Sequence, residues 1–193
     1  MIPIIYNISN NVDNVKLSLN SLLSSNIDDG ELIIFDNFNI NNSLDDMKLN
    51  IIQPVKKITN TVDILKIMIQ FGFNMFNNSN HLIILNNDFI FHKHWFSFMK
   101  YLFQNEIPED IAIGSVFNPN PKININNEPF LFNNSITLDA FILSRRLYNR
   151  LNSDNMFSKD NFKLLTYDFT SKITSYSYMK IINQPCERFY NGN

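Results

Sequence analysis

Cysteine, histidine and long apolar runs are scarce in this 193-residue sequence. The single cysteine, Cys186, excludes an internal disulfide, and together with only three histidines it does not supply the ligands of a structural zinc site. We therefore expect a reducing compartment. No stretch approaches the about 18 apolar residues that a spanning helix needs, and the N-terminus lacks a basic region followed by an apolar one. These absences predict a cytoplasmic chain without a membrane span.

An excess of charge of one sign is also missing. The formal net charge is -2 and the pI is near 5.9, so no long-range field draws the chain toward nucleic acid or an acidic membrane surface. The length suits one hydrophobic core and is too short for two comfortable ones. We expect a single domain, residues 1–193, whose function comes from a site and does not involve nucleic acid.

Short apolar segments alternate with segments of helical periodicity along the chain. The predicted strands are "IPIIYN", "ELIIFDNFN", "MKLNIIQPV", "HLIILNND", "IAIGSVF", "ITLDAFILS" and "YMKIINQP". The predicted helices are "NNVDNVKLSLNSLLSSN", "TNTVDILKIMIQFGFNMFNNSN", "HWFSFMKYLFQ", "SRRLYNRL" and "NFKLLTYDFTSKI". Such alternation predicts an α/β fold, in which a mostly parallel central sheet is covered by helices on both faces.

Polar side chains end three of the predicted strands. They are Tyr6-Asn7, Asp36-Asn37 and Asn86-Asn87-Asp88. Ligands of α/β proteins bind beyond the carboxyl ends of parallel strands, so these residues are candidates for a binding site. Each group is also compatible with a simple turn, because Asn and Asp are favoured where strands stop.

Asp88 is harder to explain as a turn residue. It lies between the apolar segments "LIIL" and "FIF", where an unpaired carboxylate would be costly. A hard divalent ion such as Mg²⁺ or Mn²⁺ would remove that cost, since such ions take carboxylate oxygen and complete their shell with water and substrate phosphates. Asn86, two residues earlier, adds a second oxygen-bearing side chain. The pattern predicts a site for a divalent cation and a diphosphate.

The order of these segments resembles the GT-A (nucleotide-diphospho-sugar transferase) fold, in particular family 2 glycosyltransferases of the rhamnosyltransferase-like type. The resemblance runs over roughly residues 2 to 185, and its most specific piece is "LNND" followed by Trp95, an Asn-x-Asp form of the "DxD" element. It implies an enzyme that moves a sugar from a UDP-, GDP- or dTDP-sugar to a hydroxyl of a glycan or other acceptor, with Mn²⁺ or Mg²⁺ as cofactor. Residues 1–90 would bind the nucleotide sugar and residues 91–193 the acceptor.

The same resemblance implies roles for individual residues. Those expected to bind the nucleotide sugar are Tyr6, Asn7, Asp36, Asn86, Asn87 and Asp88. Tyr6 and Asn7 match positions that flank the nucleotide, and Asp36 matches the acid that contacts the base and ribose. Asp88 and Asn86 match the element that holds the metal, with Asp88 as the better ligand.

The general base is less clearly marked. The family usually ends with an acidic "Glu-Asp-x-Asp-Leu-x-x-Arg" pattern, while this chain reads "LLTYDFTSKI", with Leu165 and Thr166 where the Glu and the base Asp would stand. Three alternatives stay open. Asp168 is the base if the alignment of the final helix shifts by one turn, Asp139 or another acid is the base instead, or the enzyme is impaired. Asp168 is the first choice. Asp139, at an unusual place beside the acceptor pocket, is the second.

Two other functional classes stay open. Nucleotidyltransferases share the architecture but normally carry a glycine-rich phosphate loop after the first strand, and "YNISNNVDN" contains no glycine. A catalytically impaired binding or structural protein of the same fold is the other alternative, favoured by the degraded base motif. The family's glycine-rich loop after the third strand is also replaced, by "KKITNTVD".

Three more residues have a structural and a functional interpretation. Trp95 is expected in the core rather than as a platform for an acceptor sugar. Arg145 and Arg146 begin a predicted helix. We expect them on a solvent-exposed face, with contact to a phosphate as the alternative.

Overall fold

The computed structural model of the protein describes residues 2–27, 32–86, 88–97, 99–100, 113–115, 130–133, 139–153, 170–173 and 179–181. Its strands are β1 (Ile4–Asn7), β2 (Leu32–Phe35), β3 (Asn50–Ile52), β4 (His81–Leu85), β5 (Phe89–Phe91), β6 (Ile113–Ser115), β7 (Phe130–Asn133), β8 (Ala140–Ser144), β9 (Thr170–Ile173) and β10 (Met179–Ile181). Its helices are α1 (Val12–Leu23), α2 (Thr61–Met75) and α3 (Arg145–Ser153). Short 3₁₀ helices span Asn41–Ser43 and Asp45–Met47, and residues 95–97 and 99–100 are helical.

Eight of the described strands form one sheet in the order β3-β2-β1-β4-β8-β6-β9-β7. β1 pairs in parallel with β2 and β4, β2 with β3, and β6 with β9. β8 is antiparallel to β4 and β6, and β7 is antiparallel to β9, so six of these eight strands run in one direction. The predicted α/β fold with a mostly parallel sheet is confirmed. β5 and β10 form a separate antiparallel pair.

Alternating side chains of the sheet face two apolar cores, because successive residues of a strand point to opposite faces. On β1, Ile4 and Tyr6 face the core that contains α1 and Trp95, while Ile5 faces the core that contains α2 and α3. Gly72 of α2 lies so close to the sheet that an added Cβ would come within 2.6 Å of a methyl carbon of Leu82. Helices therefore cover both faces, as predicted.

Asparagine side chains fix the start of both long helices. Asn11 Oδ1 accepts a hydrogen bond from the backbone N–H of Asn14, and Asn60 Oδ1 accepts one from Val62. Both interactions satisfy N–H groups that have no partner within the helix. None of the helices that the structure delimits has the length and hydropathy needed to cross a bilayer.

The structure corrects the sequence prediction at the last predicted helix, "NFKLLTYDFTSKI". Residues 170–173 of that segment form strand β9 instead, and residues 161–169 lie outside the described part of the chain. The β-branched Thr170 and Ile173 favour a strand, and parallel pairing with β6 satisfies its backbone groups. Strand β7 was not predicted. Trp95 is fully buried, with its ring 4.8 Å from that of Phe91, so its placement in the core is confirmed.

Arg145 caps the carboxyl end of α2 and does not lie on a solvent-exposed face. Its guanidinium donates hydrogen bonds to the backbone carbonyls of Phe73, Phe76 and Ser79, and it stacks 4.8 Å from the centre of the Phe73 ring. The last carbonyls of a helix have no partner within it, so a cation at this position stabilises it. The predicted solvent-exposed face is therefore correct for Arg146 and wrong for Arg145.

We predict that Arg145→Met lowers the free energy of unfolding by about 1.5–3 kcal/mol, the usual contribution of hydrogen bonds from a charged group. Methionine keeps an apolar stem but removes the donors to the three carbonyls. Arg146→Met is the matched control and should change stability by less than about 0.5 kcal/mol. Urea unfolding of both variants checks this, and equal losses would contradict the capping role.

Candidate functional site

The carboxyl ends of β1 and β4 lie side by side near the middle of the eight-stranded sheet. In this sheet, the next described strand after β1 is β2, on one side, and the next described strand after β4 is β6, on the other side, which makes this edge a topological switch point. Here Asn7 Nδ2 donates a hydrogen bond to Asn86 Oδ1 at 2.7 Å. Asn7 Oδ1 is buried and has no hydrogen-bond partner among the described residues. The edge thus offers an acceptor that a ligand can use.

A cavity of about 420 Å³ opens at this edge. This volume lies within the range of pockets that hold small organic ligands, which is roughly 300–1,000 Å³. The lining residues are Asn7, Ile8, Ser9, Asn10, Asn37, Phe38, Lys57, Ile58, Thr59, Thr61, Ile64 and Asn86. They come from the segments that follow β1, β2, β3 and β4 and from the start of α2.

The charge of this cavity favours an anion. Among the lining residues that the structure describes, Lys57 is the one charged side chain and none is a carboxylate. Thr61 begins α2, so the amino end of this helix also borders the cavity, and Asn10 lies two residues before the start of α1. A helix amino end carries a partial positive charge and free N–H groups, which bind anions.

Asp36, predicted to contact the base and ribose, is fully buried and does not line the cavity. Its Oδ1 accepts a hydrogen bond from the backbone N–H of Phe38 at 3.0 Å. Its Oδ2 accepts one from the N–H of Asn41 and one from Gln53 Nε2, both at 2.9 Å. The carboxylate therefore folds the loop that follows β2, and it places Phe38 at the cavity.

Asn37 fixes the position of the Lys57–Ile58 segment of the cavity lining. Its side chain, 2% exposed, donates to the carbonyl of Ile58 and accepts from the N–H of Ile58, both at 2.8 Å. This double hydrogen bond extends the edge of β2 to a segment 21 residues away in sequence. Lys57 is thereby placed at the cavity mouth, where its amine lies 4.8 Å from the centre of the Phe38 ring. No sequence pattern marks Lys57 as a site residue, although it lies in the "KKITNTVD" segment, at the place where the resembled family has a glycine-rich loop.

Asp88 belongs to a buried hydrogen-bonded chain on the α1 side of the sheet. Its Oδ1 is 2.6 Å from the Tyr6 hydroxyl, which is 2.7 Å from Ser18 Oγ, and Ser18 Oγ accepts from the N–H of Phe89 at 3.2 Å. Tyr6 has one proton, which goes to the carboxylate, so Ser18 donates to the Tyr6 oxygen. Asp88 is 3% exposed, and neither it nor Tyr6 lines the cavity.

Burial raises the pKa of the Tyr6 phenol well above its ordinary value of 10.0, and the nearby Asp88 carboxylate raises it further. Both effects disfavour a phenolate, since an anion would lose hydration and face a second negative charge. Tyr6 therefore stays protonated and keeps its donor toward Asp88. The buried Asp88 carboxylate thus has a hydrogen-bond partner within the protein. The sequence pattern had predicted a cation as this partner.

The described side chains do not fit the divalent ion that was predicted at Asp88 and Asn86. The Asp88 carboxylate lies against Tyr6 and not toward the cavity, and Asn86 Oδ1 accepts a hydrogen bond from Asn7. Within the described residues, no three His, Cys, Asp or Glu side chains form a group suited to a metal. Asn87 lies outside the described residues, and the role of Asp88 as a ligand stays a prediction.

Of the two candidates for the general base, Asp139 and Asp168, the structure describes Asp139. The carbonyl of Asp139 accepts a hydrogen bond from the backbone N–H of Asn86 at 2.6 Å, which places Asp139 at the carboxyl end of β4. Its side chain is half-buried. Asp168 lies outside the described residues. Asp139 is therefore the candidate that the structure brings to the same edge as Asn7 and Asn86.

Comparison with known proteins identifies the fold. No protein-family model and no curated protein matches the sequence. A mannosyltransferase from Pyrobaculum calidifontis, PcManGT, in complex with GDP-Man and Mn²⁺, superposes with a TM-score of 0.53 and 11% identity, over 89% of this chain and 56% of that chain. HddC from Yersinia pseudotuberculosis gives a TM-score of 0.56 and 13% identity, over 95% of this chain and 94% of that one.

These similarities concern the fold. The α/β architecture with a mostly parallel sheet matches that of GT-A glycosyltransferases, so the predicted fold class is confirmed. This chain spans a little over half the length of the mannosyltransferase. Membership of family 2, and the interpretation of "LNND" as a form of the "DxD" element, stay predictions.

We predict that Tyr6→Phe lowers the free energy of unfolding by about 1.5–3 kcal/mol at pH 7, because the buried Asp88 carboxylate loses a hydrogen-bond donor. Tyr148→Phe is the control. It removes a hydrogen bond to the neutral side chain of Asn74 and should cost less, about 1 kcal/mol. Urea unfolding measures both. A Tyr6→Phe loss no larger than that of the control would contradict the proposed chain.

The difference between wild type and Tyr6→Phe should also depend on pH. Because the folded-state pKa of Tyr6 is raised above 10.0, its stabilising contribution is fully present below about pH 10 and is lost as the pH rises further. The phenylalanine variant has no proton to lose at this position. We therefore expect the stability difference to narrow above about pH 10, and a constant difference would contradict the raised pKa.

Proposed function

We propose that this chain is a glycosyltransferase that binds a nucleotide-diphosphate sugar in the cavity at the sheet edge and transfers the sugar to an acceptor hydroxyl. The observation that carries the proposal is the position and charge of the cavity. It lies beyond the carboxyl ends of β1, β2 and β4, and its described lining includes a lysine, several amides and the start of α2. An anionic nucleotide with polar base and ribose groups suits such a lining.

The fold supports the choice of ligand class. PcManGT, which shares the architecture, binds GDP-Man, so a GDP-, UDP- or dTDP-sugar is the donor class to test. Every lining residue that the structure describes lies between Asn7 and Asn86, which supports the proposal that residues 1–90 bind the donor. Asp139 comes from the second half, residues 91–193, which we propose to bind the acceptor.

The predicted binding residues take two kinds of role in this proposal. Asn7 and Asn86 line the cavity and contact the nucleotide directly, with Asn7 Oδ1 free to accept a hydrogen bond from the base or ribose. Asp36 acts through the loop that it folds, and Tyr6 acts through its hydrogen bond to Asp88. Asn87 follows Asn86 directly in the chain and keeps its predicted place in this set.

The proposed function does not require a divalent ion, and the assay with and without Mn²⁺ tests whether one takes part. PcManGT was solved with Mn²⁺, and Asp88 and Asn86 are the residues of this chain predicted to hold Mn²⁺ or Mg²⁺. Such an ion would neutralise the leaving diphosphate. Because the described orientation of Asp88 does not fit this role, no step of the proposed transfer depends on the ion.

The transfer itself needs one carboxylate near the acceptor. The base takes the proton of the acceptor hydroxyl, the oxygen forms a bond to the anomeric carbon, and the bond from that carbon to the diphosphate oxygen breaks, which releases the nucleoside diphosphate. Attack from the face opposite the leaving group inverts the anomeric centre. We assign the base to Asp139, whose backbone carbonyl bonds to Asn86 at the same edge of the sheet, with Asp168 as the alternative.

A second candidate is a nucleotide-sugar-binding protein that does not catalyse transfer. The burial of Asp88 favours it, because this carboxylate is the predicted metal ligand and is directed away from the cavity. Both candidates bind a nucleotide sugar, and donor hydrolysis separates them. Release of the nucleoside diphosphate from GDP-mannose, UDP-glucose or dTDP-rhamnose, with and without Mn²⁺, would support the enzyme, while binding without release would support the alternative.

We predict that Asp139→Asn leaves donor binding unchanged and lowers donor hydrolysis by roughly 10²- to 10⁴-fold, the usual contribution of a positioned base. Asparagine keeps the size of the side chain and removes its basicity. Calorimetry measures binding, and chromatography of the released nucleotide measures hydrolysis. Asp168→Asn is the companion variant: if hydrolysis collapses there and persists in Asp139→Asn, the base is Asp168.

A further inference from the structure

Lys57 gives the cavity a positive charge, and neighbouring residues restrain the position of this lysine. Lys57 is exposed at the cavity mouth, but its backbone is held by the double hydrogen bond between Asn37 and the next residue, Ile58. The Lys57 amine lies over the Phe38 ring, and the loop that carries this ring is held by Asp36. A cation placed on an aromatic face is attracted by it and loses less freedom on binding an anion.

A helix end adds to this charge. A helix amino end is equivalent to roughly half a positive elementary charge, and α2 begins at the cavity with Thr61. Together with the full charge of Lys57, this makes the described lining net positive. Among the described lining residues, no carboxylate opposes this charge.

Asp88 has the opposite placement. A metal-dependent site would need this carboxylate at the cavity, whereas it accepts a hydrogen bond from Tyr6 on the α1 side of the sheet and is 3% exposed. Turning it outward would take the carboxylate acceptor away from the buried Tyr6 hydroxyl, which is costly.

We infer that Lys57 is the residue that binds the phosphates in this cavity, and that the chain binds a nucleoside diphosphate without a divalent ion. This rests on the proposed function, since it concerns the same cavity and the same class of ligand. Phe38 and the Asn7–Asn86 pair remain on the lining for the nucleoside. Lys57 thus takes the place that the sequence pattern assigned to a metal held by Asp88.

The test compares Lys57→Met with Lys56→Met. Lys56 is the neighbouring exposed lysine and does not line the cavity, so the two variants lose the same charge at adjacent positions. Calorimetric titrations with GDP and with UDP are run in EDTA and in Mn²⁺, and guanosine and uridine serve as ligands without phosphate. Thermal unfolding without ligand verifies that both variants remain folded.

We expect wild type to bind one of the two nucleotides in EDTA, with an affinity within about threefold of that in Mn²⁺. Lys57→Met should weaken this binding by roughly 10- to 100-fold, the usual effect of losing a charge-assisted hydrogen bond, and Lys56→Met by less than about threefold. Binding of the matching nucleoside should not change in Lys57→Met. The slope of log affinity against log salt should also fall in this variant, because one ionic contact is gone.

Two results would overturn the inference and leave the proposed function standing. One is nucleotide binding that requires Mn²⁺, which would return the phosphates to an ion at Asp88. The other is binding in EDTA that falls equally, or not at all, in the two lysine variants. Failure of wild type to bind either nucleotide, or dTDP titrated in the same way, under both conditions would overturn the proposed function itself, and the inference with it.

Discussion

A polar side chain that ends a buried strand needs hydrogen-bond partners, and this need organises the whole carboxyl edge of the sheet. Asp36, Asn37 and Asp88 are between 0% and 3% exposed, and each is bonded to another part of the chain. Because burial makes an unpaired amide or carboxylate expensive, these bonds fix the loops around the edge. The cavity is then lined by residues that the loops carry, among them Phe38 and Lys57.

Much of the fold could be predicted because its signals are local. The spacing of apolar residues identified α1 and α2, and their capping residues, Asn11 and Asn60, are short-range features. The apolar runs identified β1, β2 and β4, which are buried on both faces. Strands β7 and β9 were missed or taken for helix, and the antiparallel position of β8 between β4 and β6 was not foreseen. Their place depends on pairing with distant segments, which periodicity does not encode.

The candidate site was predicted in position but not in orientation. The strand ends do gather at one edge, and Asn7 and Asn86 line the cavity there. Tyr6 points to the opposite face from its neighbours on β1, and Asp88, beyond the end of β4, turns toward it. The direction of a side chain after a strand depends on the loop that follows, so sequence position alone did not separate a ligand-binding carboxylate from a buried one. Lys57 was missed because Asn37 brings its segment to the cavity from a distance in sequence.

The burial of Asp88 and the positive charge of the described cavity lining are connected. A carboxylate facing the cavity would need an ion beside it, since it would repel a diphosphate. Bonded to Tyr6 instead, on the α1 side of the sheet, it leaves a cavity in which Lys57 is the one charged side chain among the described lining residues. The same separation makes the hydrogen bond of Tyr6 important for the electrostatics of the cavity, although Tyr6 does not line it. Residues that keep a negative charge away from a ligand can therefore matter as much for binding as residues that contact it.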